Sequence, residues 1–79
     1  MRTTKQAKDV KEGDIVWNHG YKWLVRVNLF DPAGNTGDQP RQLFIADAVG
    51  DDPTLHAAYA VNMCMGFLPK ANVTVEVRP

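Results

Sequence analysis

Apolar residues recur at every second position along much of this chain, which is the spacing of a β-strand with one buried face. The longest such run covers residues 21–30, and its apolar positions are Tyr21, Trp23, Val25, Val27 and Leu29. A second run, residues 73–78, places Val73, Val75 and Val77 on one face near the end of the chain. Both runs predict half-buried strands.

Two shorter segments predict further strands. Ile15-Val16-Trp17 is β-branched and aromatic, and it follows the turn signal Glu12-Gly13-Asp14. Asn18-His19-Gly20 then predicts a hairpin turn into the long run. Strand character resumes over residues 41–49, after a loop at residues 31–40 that holds two Pro and two Gly.

Residues 54–66 admit two interpretations. With Asp52 as N-cap, Pro53 as first helical residue and Gly66 just beyond the end, they predict a helix at 54–65. Through the same segment, however, larger apolar residues alternate with smaller or polar ones, which favours a strand. We favour the strand and keep the helix as the alternative. A turn at residues 67–72 follows.

Five short strands with hairpin-type links predict a mainly β fold, either a small barrel or a strongly bent antiparallel sheet. Residues 9–79 form this single domain, whereas residues 1–8 are polar and basic and are expected to be a flexible arm. The expected core is Ile15, Trp23, Val25, Val27, Leu43, Ile45, Val61, Val73, Val75 and Val77.

The two ends of the chain resemble SH3-like small barrels. Residues 10–17 and 20–27 are similar to the opening of such barrels, in which a Gly-Asp turn, a short strand and a hairpin lead to a longer strand ending in Val-x-Val. Residues 69–77 are similar to their closing strand. The resemblance implies a five-stranded SH3-like barrel of the kind found in bacterial and phage proteins of unknown function. KOW-type nucleic-acid-binding modules and chromatin-type readers share this architecture.

Charge and cysteine content restrict the partner and the compartment. The nine basic and nine acidic residues cancel, which argues against a dedicated nucleic-acid binder of the basic type. The charge is uneven, since residues 1–26 carry six Lys/Arg and three Asp/Glu, and residues 27–55 carry one and five. Cys64 is the only cysteine and no apolar leader follows Met1, so we predict a cytoplasmic protein.

Groups capable of catalysis or metal binding are scattered. The chain contains no Ser, and His19, His56 and Cys64 lack the spacing of a metal site. Asp51 and Asp52 fit a turn or a cap better than an acid–base pair. We therefore expect no catalytic activity, no metal and no cofactor.

The aromatic residues of the first hairpin give the strongest indication of function. Trp17 and Tyr21 flank the turn and are expected to face each other across the strands. A barrel of this size is expected to bury one Trp and to leave the other for binding. We predict a non-catalytic, protein-binding accessory protein of a phage or other mobile element. Its predicted binding residues are Trp17, Tyr21, Asp38, Asp51 and Asp52.

Two alternatives remain open. One is nucleic-acid binding by the basic N-terminal segment, with Trp17 or Tyr21 stacking on bases. Its residues are Lys5, Lys8, Lys11, Lys22 and Arg26. The other is a homo-oligomer that assembles through the apolar stretch Val61, Met63, Met65 and Phe67.

Replacing Val75 with Asp tests the predicted strand faces. A carboxylate at a core position would cost several kcal/mol, comparable with the roughly 5 kcal/mol expected for the whole domain. We expect the Val75→Asp variant to be unfolded by circular dichroism. An unchanged spectrum would show that the assigned faces are wrong.

Overall fold

The computed structural model describes residues 1–18, 20–32, 39–49 and 61–77. In these ranges the chain forms one antiparallel sheet of six strands in the order β1-β6-β2-β3-β4-β5. The strands are β1 (Arg2–Gln6), β2 (Ile15–Asn18), β3 (Tyr21–Asp31), β4 (Arg41–Ala48), β5 (Met63–Phe67) and β6 (Asn72–Glu76), and a 3₁₀ helix spans Ala7–Asp9. The predicted mainly β antiparallel fold is confirmed. The sheet is not closed into a barrel, because β1 and β5 are its edges within the described residues.

The predicted helix at 54–65 lies largely outside the described residues. Its last three positions, 63–65, belong to β5, which agrees with the favoured strand interpretation there. No helix in the described part of the chain is long and apolar enough to cross a membrane.

Residues 2–6, which we expected in a frayed arm, form a sixth strand. β1 pairs antiparallel with β6, with Arg2 opposite Glu76 and Gln6 opposite Asn72. Backbone pairing rather than an apolar face holds this strand, so its polar sequence carries no period-two signal. Ala7, directly after the strand, is fully buried, and its N–H donates to the Ala71 carbonyl at 2.9 Å.

The Gly-Asp turn and the first hairpin turn are confirmed, whereas the turn predicted at residues 67–72 is shorter, because Phe67 ends β5 and Asn72 begins β6. Gly13 has φ +90°, and its N–H donates to the Val25 carbonyl at 2.8 Å, which fixes the Gly-Asp turn against β3. Asn18 pairs with Tyr21, so two residues link β2 to β3. Gly20 has φ +81° in that link, a conformation that favours glycine.

A β-bulge at Arg26 reverses the facing of the long strand. Val25 pairs with Ala46, but Val27 pairs with the adjacent Ile45, so Arg26 is an inserted residue without a partner of its own. Val25 is 1% exposed, whereas Val27 lies on the opposite face and is partly exposed. The prediction of a single apolar face through Leu29 is therefore wrong beyond the bulge.

The buried face of β4 is also the reverse of the predicted one. Phe44 and Ala46 are fully buried, whereas Leu43 and Ile45 lie on the opposite face and are partly exposed. Because residues 43–46 are all apolar, a period-two pattern cannot select the face that is buried.

Of the other residues predicted for the core, those inside strands are mostly buried and those beyond strand ends are exposed. Trp23, Val25, Val73 and Val75 are buried as predicted. Val61 and Val77 lie beyond strand ends and are 56% and 43% exposed, so their assignment to the core is wrong. Val16 is buried in place of the partly exposed Ile15. We call the core side of the sheet the inner face; its buried strand residues are Val16, Trp23, Val25, Gln42, Phe44, Ala46, Met65, Val73 and Val75.

A partly buried amide network fixes the N-terminal segment over the inner face. The bulge turns Asn28 inward, opposite Phe44. Asn28 Nδ2 donates to the carbonyl oxygens of Ala7 at 3.1 Å and Val10 at 2.7 Å. Gln42 Nε2 donates to Asn28 Oδ1 at 2.8 Å. Both N–H groups and the carbonyl of the Asn28 side chain are thus bonded, and they join β3, β4 and the 3₁₀ helix.

Asn28→Leu is expected to be destabilising although Leu is more apolar. It leaves Gln42 Nε2 without this acceptor and removes a donor from each of two carbonyls, at a cost of about 1–3 kcal/mol. Urea unfolding should show this loss relative to wild type. Asn72→Leu, at an exposed strand position, is the control and should change stability little. Equal stability of the Asn28→Leu variant and wild type would contradict the role given to the network.

Candidate functional site

The two edges of the sheet differ in charge. β1 carries Arg2 and Lys5, and charged side chains on an edge strand discourage pairing with another chain. β5 has the sequence Met-Cys-Met-Gly-Phe and carries no charge. In the described residues β5 pairs only with β4, so one side of its backbone is left without a strand partner. Within the described ranges, β5 is therefore the edge strand without charged side chains that would discourage strand addition.

A pocket of about 310 Å³ runs along this edge. All five residues of β5 line it, together with Asn18 and Trp23. Trp23 is held in place by its indole N–H, which donates to the Asn18 carbonyl at 3.2 Å. Asn18 Nδ2 in turn contacts Met65 Sδ at 3.1 Å. The end of β2 therefore approaches β5 through this side-chain contact, and the pocket lies where the curled sheet remains open.

The pocket is chemically suited to an uncharged, apolar group. The described residues that line it have aromatic, thioether, thiol and amide side chains but no carboxylate, ammonium or guanidinium group. Phe67 packs against the buried Phe44 with ring centroids 5.1 Å apart, which fixes one end of the pocket. Its volume is at the lower end of the about 300–1,000 Å³ typical of ligand sites. Methionines add adaptability, since their side chains are unbranched and polarizable.

The structure does not bring Trp17 and Tyr21 together. Across the two-residue link Asn18 pairs with Tyr21, and Trp17 pairs with Lys22. Paired residues share a face, so Trp17 lies on the outer face and Tyr21 on the inner face. The prediction that they face each other is wrong, because it did not take account of the length of the link. Tyr21 instead makes an edge contact with Trp23, with ring centroids 6.4 Å apart.

The Trp17 ring is already contacted by cations of the same chain. The Arg2 guanidinium lies 3.6 Å from the ring centroid and the Lys22 ammonium lies 5.6 Å from it. This cation–π cluster links β1, β2 and β3 on the outer face. The Trp17 indole N–H is buried without an acceptor among the described residues. Trp23 is the buried tryptophan at 4% exposed, and Trp17 is partly exposed.

The predicted nucleic-acid-binding residues do not form one basic surface. Lys5 lies opposite Val73 on the inner face, whereas Lys22 lies opposite Trp17 on the outer face. Lys8 is exposed in the 3₁₀ helix. Three of the five are ion-paired within the chain: Lys5 with Asp14 at 3.0 Å, Lys22 with Glu76 at 3.7 Å and Arg26 with Asp47 at 2.9 Å.

Asp38, Asp51 and Asp52, the predicted acidic binding residues, lie outside the described residues. The stretch predicted for oligomer assembly coincides in part with the pocket, since Met63, Met65 and Phe67 line it. Sequence reasoning did not identify Asn18 and Trp23 as pocket residues. Their position depends on where the sheet fails to close, which no local pattern reports.

Comparisons of the chain with protein-family models, curated proteins and solved structures found no match. Functional inference therefore rests on the geometry of the sheet and its pocket.

Asp14 connects the Gly-Asp turn to β1. Its Oδ2 accepts hydrogen bonds from Lys5 Nζ at 3.0 Å and from the Lys11 backbone N–H at 2.9 Å. Burial raises the pKa of this carboxyl, but the two hydrogen bonds and the charges of Lys5 and Lys11 outweigh that effect. They hold the pKa of Asp14 below its ordinary value of 3.8.

The lowered pKa of Asp14 predicts acid sensitivity of the fold. The ionised carboxylate contributes stability above the unfolded-state pKa, and this contribution is lost as the pH falls through the folded-state pKa. Between about pH 5 and pH 3 the urea midpoint of wild type should fall more steeply than that of Asp14→Asn. Equal slopes for the two proteins would contradict this assignment.

Proposed function

We propose that this protein is a non-catalytic protein-binding module that accepts an extended segment of its partner as an added strand on β5. The observation that carries the proposal is the uncharged edge of β5, which has no strand partner on one side among the described residues and lies beside an apolar pocket. The function class is the one predicted from the sequence. The contact site differs, because it lies at the edge of β5 and not at Trp17 on the outer face.

The backbone of β5 supplies the first part of the recognition. In an antiparallel pair alternate residues direct their N–H and C=O groups away from the neighbouring strand. On β5 these groups lie on the side without a strand partner in the described residues. An extended peptide laid along this edge would pair with them. Such pairing provides affinity that depends little on sequence.

The pocket supplies selectivity. Met65 and Trp23 are buried inner-face residues that line it, so a side chain of the added strand that points inward meets an apolar surface. Burying one large apolar side chain there contributes about 1.5–3 kcal/mol. The other inward positions of the added strand lie beside Met63 and Phe67, because side chains on one face recur every second residue.

The charge distribution favours a peptide over a nucleic acid. Phosphate binding requires clustered cations, yet no cation is found among the described residues that line the pocket. Lys5 and Lys22 lie on opposite faces of the sheet, each paired with a carboxylate. Apolar and aromatic groups with few charges are typical of the centre of a protein–protein interface.

We also propose that the fold is an opened relative of the SH3-like small barrels. The Gly-Asp turn, the first hairpin and the closing strand β6 support this, since β6 and β3 are the two neighbours of β2 in the sheet. We retain two predictions from the sequence analysis: an accessory role in a phage or other mobile element, and a cytoplasmic location.

Peptide display tests the proposal directly. Wild-type protein should select peptides in which apolar residues alternate with polar ones, with a large apolar residue at the centre. Met63→Asp places a carboxylate in the pocket, and its desolvation should reduce binding of a selected peptide at least tenfold by fluorescence anisotropy.

Val61→Asp is the matched control. Val61 is 56% exposed and precedes β5 without lining the pocket, so this variant should bind like wild type. Selection of no peptide by wild type, or equal binding by Met63→Asp and wild type, would overturn the proposal. Light scattering that shows a dimer in wild type and a monomer in Met63→Asp would assign the edge to a second copy of the chain instead.

A further inference from the structure

The two ends of β5 differ in charge, and this difference bears on which peptide the edge accepts. At the Met63 end, Arg26 is neutralised by Asp47, with Nε and Oδ2 2.9 Å apart. Asp47 Oδ1 also accepts the Asn62 backbone N–H at 2.9 Å, and Arg26 Nη2 donates to Asn62 Oδ1. The charged groups that the structure describes at this end, Arg26 and Asp47, are therefore paired with each other.

The Phe67 end carries two lysines with no ion-pair partner among the described residues. Lys70 follows β5 in the turn that the Ala71 N–H closes on the Leu68 carbonyl. The Lys8 N–H donates to the Pro69 carbonyl at 2.9 Å, so the 3₁₀ helix lies against the same turn. Both lysines are exposed. Asp9, also exposed, is the one carboxylate in that 3₁₀ helix.

The amide network of Asn28 and Gln42 holds Lys8 at this end of β5. Asn28 fixes the Ala7 and Val10 carbonyls on either side of Lys8, and Gln42, which bonds to Asn28, pairs with Phe67 across β4 and β5. The amide network thus keeps the backbone at Lys8 near the Phe67 end of the edge. Two cations beside an uncharged groove give the groove one positive end.

We propose that the peptide accepted by β5 carries acidic residues beyond its apolar anchor, at the end that reaches Lys8 and Lys70. This inference rests on the proposed strand addition. The acidic flank supplies charge complementarity that sets the direction of the peptide along the edge. The occupant is thus an acidic, apolar segment of a partner protein.

Four fluorescein-labelled peptides test this inference. Each has the same core of alternating Thr and Val with a central Phe; two carry Glu-Glu at the amino or the carboxyl end, and two carry Gln-Gln there. At low salt, the Glu-Glu peptide whose acidic end reaches Lys8 and Lys70 should bind roughly three- to tenfold more tightly than the matching Gln-Gln peptide, whereas Glu-Glu at the other end should give no gain. This gain in affinity should shrink as the salt concentration is raised. The double variant Lys8→Gln/Lys70→Gln should lose this gain and bind both Gln-Gln peptides like wild type.

Lys11→Gln is the control, because it removes one exposed positive charge from the neighbouring Gly-Asp turn. It should keep most of the gain. Equal binding of the Glu-Glu and Gln-Gln peptides, or a gain that survives in the double variant, would overturn the inference and leave strand addition standing. Loss of the gain in Lys11→Gln would show a general charge effect and would also overturn it. Failure of all four peptides to bind would overturn strand addition itself.

Discussion

The hydrogen bonds of the Asn28 side chain are the constraint on which the rest of this structure depends. A bulge at Arg26 turns Asn28 toward the core, where its amide holds the carbonyls of Ala7 and Val10. Polar groups withdrawn from water are stable when their donors and acceptors are bonded, and the buried Gln42 completes the set for the partly buried Asn28 amide. The N-terminal segment is thereby fixed across the inner face. The residues before it form β1, which pairs with β6 at the edge of the sheet.

This arrangement covers one region of the inner face and leaves another open. The N-terminal segment packs near the Phe67 end of β5, whereas β2 ends at Asn18 and contacts β5 through Met65. Among the described strands the sheet therefore curls without closing, and its two edges differ in charge. β1 carries charge and β5 does not. An uncharged edge strand promotes aggregation unless another strand pairs with it. This property supports the proposal that a partner segment pairs with β5.

The sequence predicts strand positions well and strand faces less well. Residues 21–30, 41–49 and 73–78 correspond to β3, β4 and β6 because β-branched and aromatic residues dominate them. The facing of β3 reverses at the inserted Arg26, and in the four-residue apolar run of β4 the buried face is the opposite of the predicted one. The sequence did not predict β1, because its residues are polar and show no alternation of apolar and polar positions. The pocket combines Asn18 and Trp23 with β5, at least 40 positions away in the sequence, so it follows from topology and not from local pattern.

Amide hydrogen exchange of β5 tests the central claim most directly, since strand addition must bury backbone groups there. In the protein alone, alternate amides of Met63–Phe67 should exchange quickly. A bound peptide selected by display should protect those amides and leave the exchange of β1 unchanged. Protection that appears at β1, or binding that leaves the exposed β5 amides unprotected, would contradict the account.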